Sequence, residues 1–179
     1  KMMTKFAAGN ADKPGVYFDE ENRRHLNTIR MAYASAAIDL AIKNKKEEAR
    51  KMLNKVDKMM LEENFPYGLA CRNQQHNYVS HLLLQAAYEA GDTVLASKIT
   101  RSLKKDLDQQ IKYYASLNDD QLGVFEYGDQ TGRRGGDKVS AEQLLVRIMQ
   151  FEDQYKLRSA MPAEAPGQIT TQPVVPAKP

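Results

Sequence analysis

The stretch that constrains this chain most is the run from 93 to 117, where Ala96, Ile99, Leu103, Leu107, Ile111 and Tyr114 recur at three- and four-residue spacing. Only an α-helix puts residues at that spacing on one face, so the stripe predicts a long amphipathic helix that must bury one side. The two residues before it are Gly91 and Asp92. Glycine accepts the left-handed conformation that ends a helix, and an aspartate caps the next one, so the pair predicts a tight turn between consecutive helices. Upstream of that turn, Tyr78, Leu82, Leu83, Ala86, Ala87 and Ala90 mark the preceding helix.

The same reasoning extends to both sides. Asp19 is an N-cap followed by Glu20 and Glu21, and Leu26, Ile29, Tyr33, Ala36, Ala37 and Leu40 give a helix from about 20 to 43. Asn44 is placed to stop it, after which Ala49, Met52, Leu53, Val56, Met59 and Met60 mark a second helix ending near Glu62. Pro66 and Gly68 should turn the chain. The five glycines between 118 and 139 predict a long loop, with a short extended piece at Val124 to Tyr127. A last helix then opens with Ser140 and Gln143 in capping-box spacing, Val139 stapling onto Leu144, and carries Leu144, Ile148, Phe151 and Tyr155.

The expected fold is therefore all-α, with antiparallel helix pairs in a bundle of about five helices and one core holding Leu40, Leu53, Val56, Leu83, Ala87, Ile99 and Leu103. Residues 1–18 form an irregular lead-in, 19–160 the helical domain and 161–179 a tail. Prolines at 162, 166, 173, 176 and 179 make that tail extended or disordered by expectation. Ala49 and Ala96 fall where a tetratricopeptide unit needs a small residue for close helix approach, so the two helix pairs resemble that repeat. One pair lacks the glycine and the offset exceeds the usual repeat length, which makes the chain tetratricopeptide-like rather than a true array.

Composition excludes more than it identifies. With 26 basic and 23 acidic residues the net charge is +3, and the signs are interleaved, so a nucleic-acid partner is not expected. The single cysteine, Cys71, rules out an intramolecular disulfide and a thiol cluster for zinc. No apolar run approaches the roughly 18 residues a membrane helix requires. The chain starts at Lys1 without a signal peptide, and is expected to be a piece of something longer.

No catalytic or metal constellation can be assembled, and no cofactor is expected. His76 and His81 stand five apart, about 140° around a helix, whereas helical metal pairs stand four apart. His25 reads as a surface or interface residue. The glycines around Arg133 and Arg134 suggest a phosphate loop, but Asp137 precedes Lys138 and Val139 follows it, which breaks the required spacing. Two sets of residues remain as candidates for binding a partner. Arg23, Asn27 and Arg30 share a side of the first helix off its apolar stripe, and Arg133 and Arg134 lie in the glycine-rich loop.

Two stretches carry a family resemblance. Tyr17, Phe18, Asp19 and Glu20 followed by Arg23 and Arg24, then Ala87, Tyr88 and Gly91, and finally Tyr113, Tyr114, Ser116 and Leu117, resemble the C-terminal soluble part of a bacterial family of polytopic membrane proteins. That family is similar to the protein O-mannosyltransferases among membrane-embedded glycosyltransferases. The resemblance spans roughly residues 16 to 120. It implies a non-catalytic domain on the periplasmic side of a bacterial inner membrane, with the chemistry, on a lipid-linked sugar, in the membrane part. The implied partners are that membrane part and an acceptor protein or peptide. The helix pairs alone leave a second expectation open, a free-standing tetratricopeptide-like module that binds a peptide.

Overall fold

The structure, a computed structural model, describes residues 7–126 and 136–160. Among them are six α-helices and no strand: α1 Glu20–Ile42, α2 Lys46–Met59, α3 Gln75–Ala90, α4 Thr93–Ala115, α5 Asp119–Glu126 and α6 Asp137–Ala160. One 3-10 turn, Arg72–Gln74, leads into α3. The all-α expectation holds.

Local signals set the helix ends. Asp19 accepts a hydrogen bond from the Asn22 amide at 2.8 Å and starts α1. At the other end Asn44 adopts φ 60°, the Asn44 amide donates to Ala41 and the Lys45 amide to Leu40. Gly91 repeats this two-bond closure on α3, with φ 72° and amides of Gly91 and Asp92 donating to Tyr88 and Ala87. Asp92 then caps α4 by accepting from the Leu95 amide at 3.0 Å. Links this short make α1 with α2, and α3 with α4, antiparallel neighbours.

α1 packs on both α2 and α3, α3 also on α4, and α6 closes over α4. Leu53, Val56, Leu83, Ala87, Ile99 and Leu103 share one core, as expected, whereas Leu40 is only half-buried at its edge. The lead-in is tied down by Ala8 and Ala11, both buried, and by the Leu61 amide donating to the Ala11 carbonyl at 2.9 Å. α6 docks through Ala141, Leu144 and Ile148, then through an aromatic group in which Tyr88 and Tyr155 stack at 4.5 Å and Phe151 meets both edge-on.

Four sequence expectations need correction. α2 stops at Met59 rather than near Glu62, because Met60 turns extended to bury its side chain. α4 ends at Ala115, two residues before the expected 117. The expected loop from 118 holds α5, and Val124 is helical rather than extended. Asn118 and Gln121 cap α5 reciprocally, each side chain accepting from the other's amide, at 2.9 and 3.3 Å. Lastly, α6 begins at Asp137, so Val139 and Ser140 lie inside its first turn and form neither staple nor cap. The tail from 161 lies outside the described residues.

A candidate partner site: the cleft over a buried arginine

α1 buries Leu26, Arg30, Tyr33, Ala34, Ala37 and Ala41, a face rotated slightly from the expected stripe, with Arg30 in its middle. This corrects the placing of Arg30 on an open face: the side chain is 1% exposed. A buried guanidinium must have its donors satisfied. Here Nη2 donates to the Phe65 carbonyl at 2.8 Å, and Nη1 to the Pro66 carbonyl at 3.1 Å and to Ser80 Oγ at 3.2 Å. The cation also lies over the rings of Phe65, 4.2 Å from the centroid, and Tyr67, at 4.7 Å. Burial lowers its pKa to about 10, leaving it charged at neutral pH. Arg30 therefore fastens the 65–67 turn to α1.

Around that fastening the turn is fixed by two further devices. The Tyr67 hydroxyl bonds to Asp57, which also pairs with Lys98 at 2.6 Å. Burial and the Asp57 carboxylate push the Tyr67 phenol far above its ordinary range. Gly68 lies so close to α4 that a Cβ there would overlap the Ser102 carbonyl, while its amide donates to Ser102 Oγ at 3.1 Å.

His76 stands at the start of α3, 2% exposed, edge-on to Phe65. Its Nε2 lies 2.7 Å from the Pro66 carbonyl, which can only accept, so Nε2 carries the hydrogen and Nδ1 is an acceptor. Burial, then the nearby charge of Arg30, lowers its pKa to about 3 and keeps the ring neutral. Asn73 and Gln74, which precede it, both have positive φ, 56° and 54°. Two left-handed residues in a row are costly without glycine. The Asn73 amide donates to Asp137 at 2.8 Å, and Gln74 is held by a buried amide network: Gln74 to Gln110 at 2.6 Å, Asn77 to Gln74 at 2.7 Å, and Asp106 accepting from both Asn77 and Gln110.

This turn and the first turns of α1 enclose a cleft of about 540 Å³, lined by Arg23, Arg24, Asn27, Leu69, Arg72 and His76 among others. Glu20 also lines it and pairs with Arg24 at 3.2 Å, and Arg24 lies 3.4 Å from Glu21 as well. Arg23 is half-buried, has no ion-pair partner among the described residues, and is near enough to His76 to depress its pKa further. Two acceptors here, Asn27 Oδ1 and His76 Nδ1, are sealed from solvent without a hydrogen-bond partner. Cys71, on the cleft wall, accepts from the His76 amide at 3.1 Å. Burial raises its pKa against the opposing pull of such backbone bonds, so it is not an activated nucleophile.

Of the residues singled out from sequence, Arg23 and Asn27 meet in this cleft and Arg30 lies in the core. Arg133 and Arg134 fall outside the described residues. His25 is exposed beside Glu21 at 3.6 Å. His81 is half-buried against Phe151, and burial followed by the charge of Arg147 lowers its pKa. Sequence reasoning missed Arg72 and His76 as cleft residues, because only the fold brings the 69–76 turn to α1. Among the described residues, no group of three or more His, Cys, Asp or Glu side chains could hold a metal ion, and no helix is long and apolar enough to cross a membrane.

Fold and cleft together define an all-α bundle with a basic cleft between its first helix and the turn into its third. No family model matches the chain, and neither does any curated protein or solved structure.

Proposed function

We propose that this chain is a non-catalytic helical domain of a bacterial membrane glycosyltransferase, on the periplasmic side of the inner membrane, where it positions an acceptor or partner segment. The observation that carries a binding role is the cleft, where a half-buried Arg23 with no ion-pair partner among the described residues stands beside Arg24 and Arg72 and offers its charge to a carboxylate. The link to a glycosyltransferase rests on the resemblance of residues 16 to 120, in which the chemistry belongs to a membrane part. The coding sequence upstream of Lys1 tests it. Several apolar membrane spans are the expected finding, and a start codon or signal peptide directly before this region refutes it. The purified chain alone is expected to turn over no lipid-linked sugar.

A second reading, a free-standing tetratricopeptide-like interaction module, is favoured by one observation. Consecutive pairs α1–α2 and α3–α4 pack with α1 on α3, and Ala49 and Ala96, at matching places in the second helix of each pair, are fully buried. The same upstream sequence decides between the two.

A further inference from the structure

The basic cleft does not end at Asn27. A second hollow of about 290 Å³ continues from it between α1 and α3, sharing Arg24, Asn27 and Gln75 as walls and running on to Thr28, Met31 and Val79. The two make one groove whose ends differ in chemistry. At one end stand Arg23 and Arg72 with the orphaned His76 Nδ1; at the other stand Met31, 45% exposed, and Val79. Asn27, with its partnerless Oδ1, lies between them.

Arg23 and Met31 are eight residues apart on one helix, about 12 Å along its axis. An extended polypeptide covers that distance in about four residues. Its main chain also supplies N–H donors to Asn27 in the middle of the groove, a half-buried side chain whose amide oxygen can turn toward a bound peptide.

We propose that the groove between α1 and α3 takes an extended segment of a partner protein that carries an Asp or Glu and, about four residues away, an apolar side chain. The carboxylate meets Arg23, a backbone amide meets Asn27, and the apolar side chain lies on Met31 and Val79. This deepens the reading of the domain as a module that positions a partner and rests on it.

The test uses the full chain and fluorescein-labelled peptides with one Asp and one Leu in a Gly/Ser background, spaced two, four or six residues apart, in both orders, read by fluorescence polarisation. The four-residue spacing should bind tightest, and less tightly as salt rises. Arg23→Ala should weaken it about tenfold, as expected for loss of a charge-assisted bond. Asn27→Asp should weaken it further by repelling the carboxylate. Met31→Ser should abolish the preference for spacing. All three positions are exposed or half-buried, and an unchanged urea midpoint shows that each variant is folded. The proposal is overturned if no peptide binds at millimolar concentration, if Lys in place of Asp binds equally well, or if Arg23→Ala has no effect. Membrane spans encoded upstream, together with no peptide binding, would remove the groove proposal and leave the wider reading standing.

Discussion

Replacing Arg30 by alanine removes a cation from the core together with three hydrogen bonds, to the Phe65 and Pro66 carbonyls and to Ser80. Bonds from a charged donor contribute about 1.5–3 kcal/mol each, so roughly 5–9 kcal/mol of interaction is lost. Against this stands the cost of burying the charge. Burial lowers its pKa to about 10, so the bonds of this cation do not add in full. Removing one partner of a buried charged network costs about 3–5 kcal/mol, which puts Arg30→Ala at about 4 kcal/mol of destabilisation, and the space left beneath Phe65 and Tyr67 adds to it.

Arg30→Met separates the contributions. Methionine keeps much of the stem's packing and relieves the buried charge, but two of the three partners left behind are backbone carbonyls, which no side-chain change removes. Swapping a buried ion pair for apolar residues can be neutral because both partners change. Here only one can. The expected cost of Arg30→Met is about 2–3 kcal/mol, smaller than for alanine but not zero. Urea unfolding at pH 7.5, followed by circular dichroism, measures both, and Arg30→Lys supplies a milder variant should alanine exhaust a stability typically of about 5–15 kcal/mol. A cost below about 1 kcal/mol for Arg30→Ala, or a stabilised Arg30→Met, would refute the view that Arg30 fastens the turn.

The remaining predictions follow from the same packing. His76 is neutral in the fold with its pKa lowered to about 3, while in the unfolded chain it titrates near 6.5, so the unfolded state binds the extra proton between those values. Its contribution is complete above pH 6.5 and is lost as pH falls toward 3, by about 2 kcal/mol at pH 5; urea midpoints at pH 7.5 and 5 measure this, and His76→Gln should flatten the difference. Gly68→Ala should destabilise by about 1–3 kcal/mol, because the new methyl meets the Ser102 backbone rather than a movable side chain; a thermal melt matching wild type contradicts that contact. Leu103→Ala should cost about 2–5 kcal/mol, since Leu103 is fully buried on α4; a loss near zero means that α4 does not carry the core.

What could be read from sequence follows from how far each determinant reaches. Asn44, Gly91 and Asp92 act on amides and carbonyls within five residues, so their roles as stops and cap are visible in a short window. The reciprocal cap of Asn118 and Gln121 is equally local, but the five glycines between 118 and 139 give the stretch that holds α5 the composition of a loop. Arg30 is different in kind. It occupies a core position at four residues from Leu26 and three from Tyr33, so its place in the period was open to view. Its burial was not, because its three partners lie 35 to 50 residues away and two of them are carbonyls, which every residue has. The cleft was hidden for a further reason. It exists because Asn73 and Gln74 take left-handed conformations that neither favours enough to predict, and only the network through Gln110, Asp106 and Asn77 holds Gln74 in place. Arg23 and Asn27 could thus be picked as neighbours on one helix, while Arg72 and His76, which turn that helical face into a site, depend on contacts made only once α4 lies against α3.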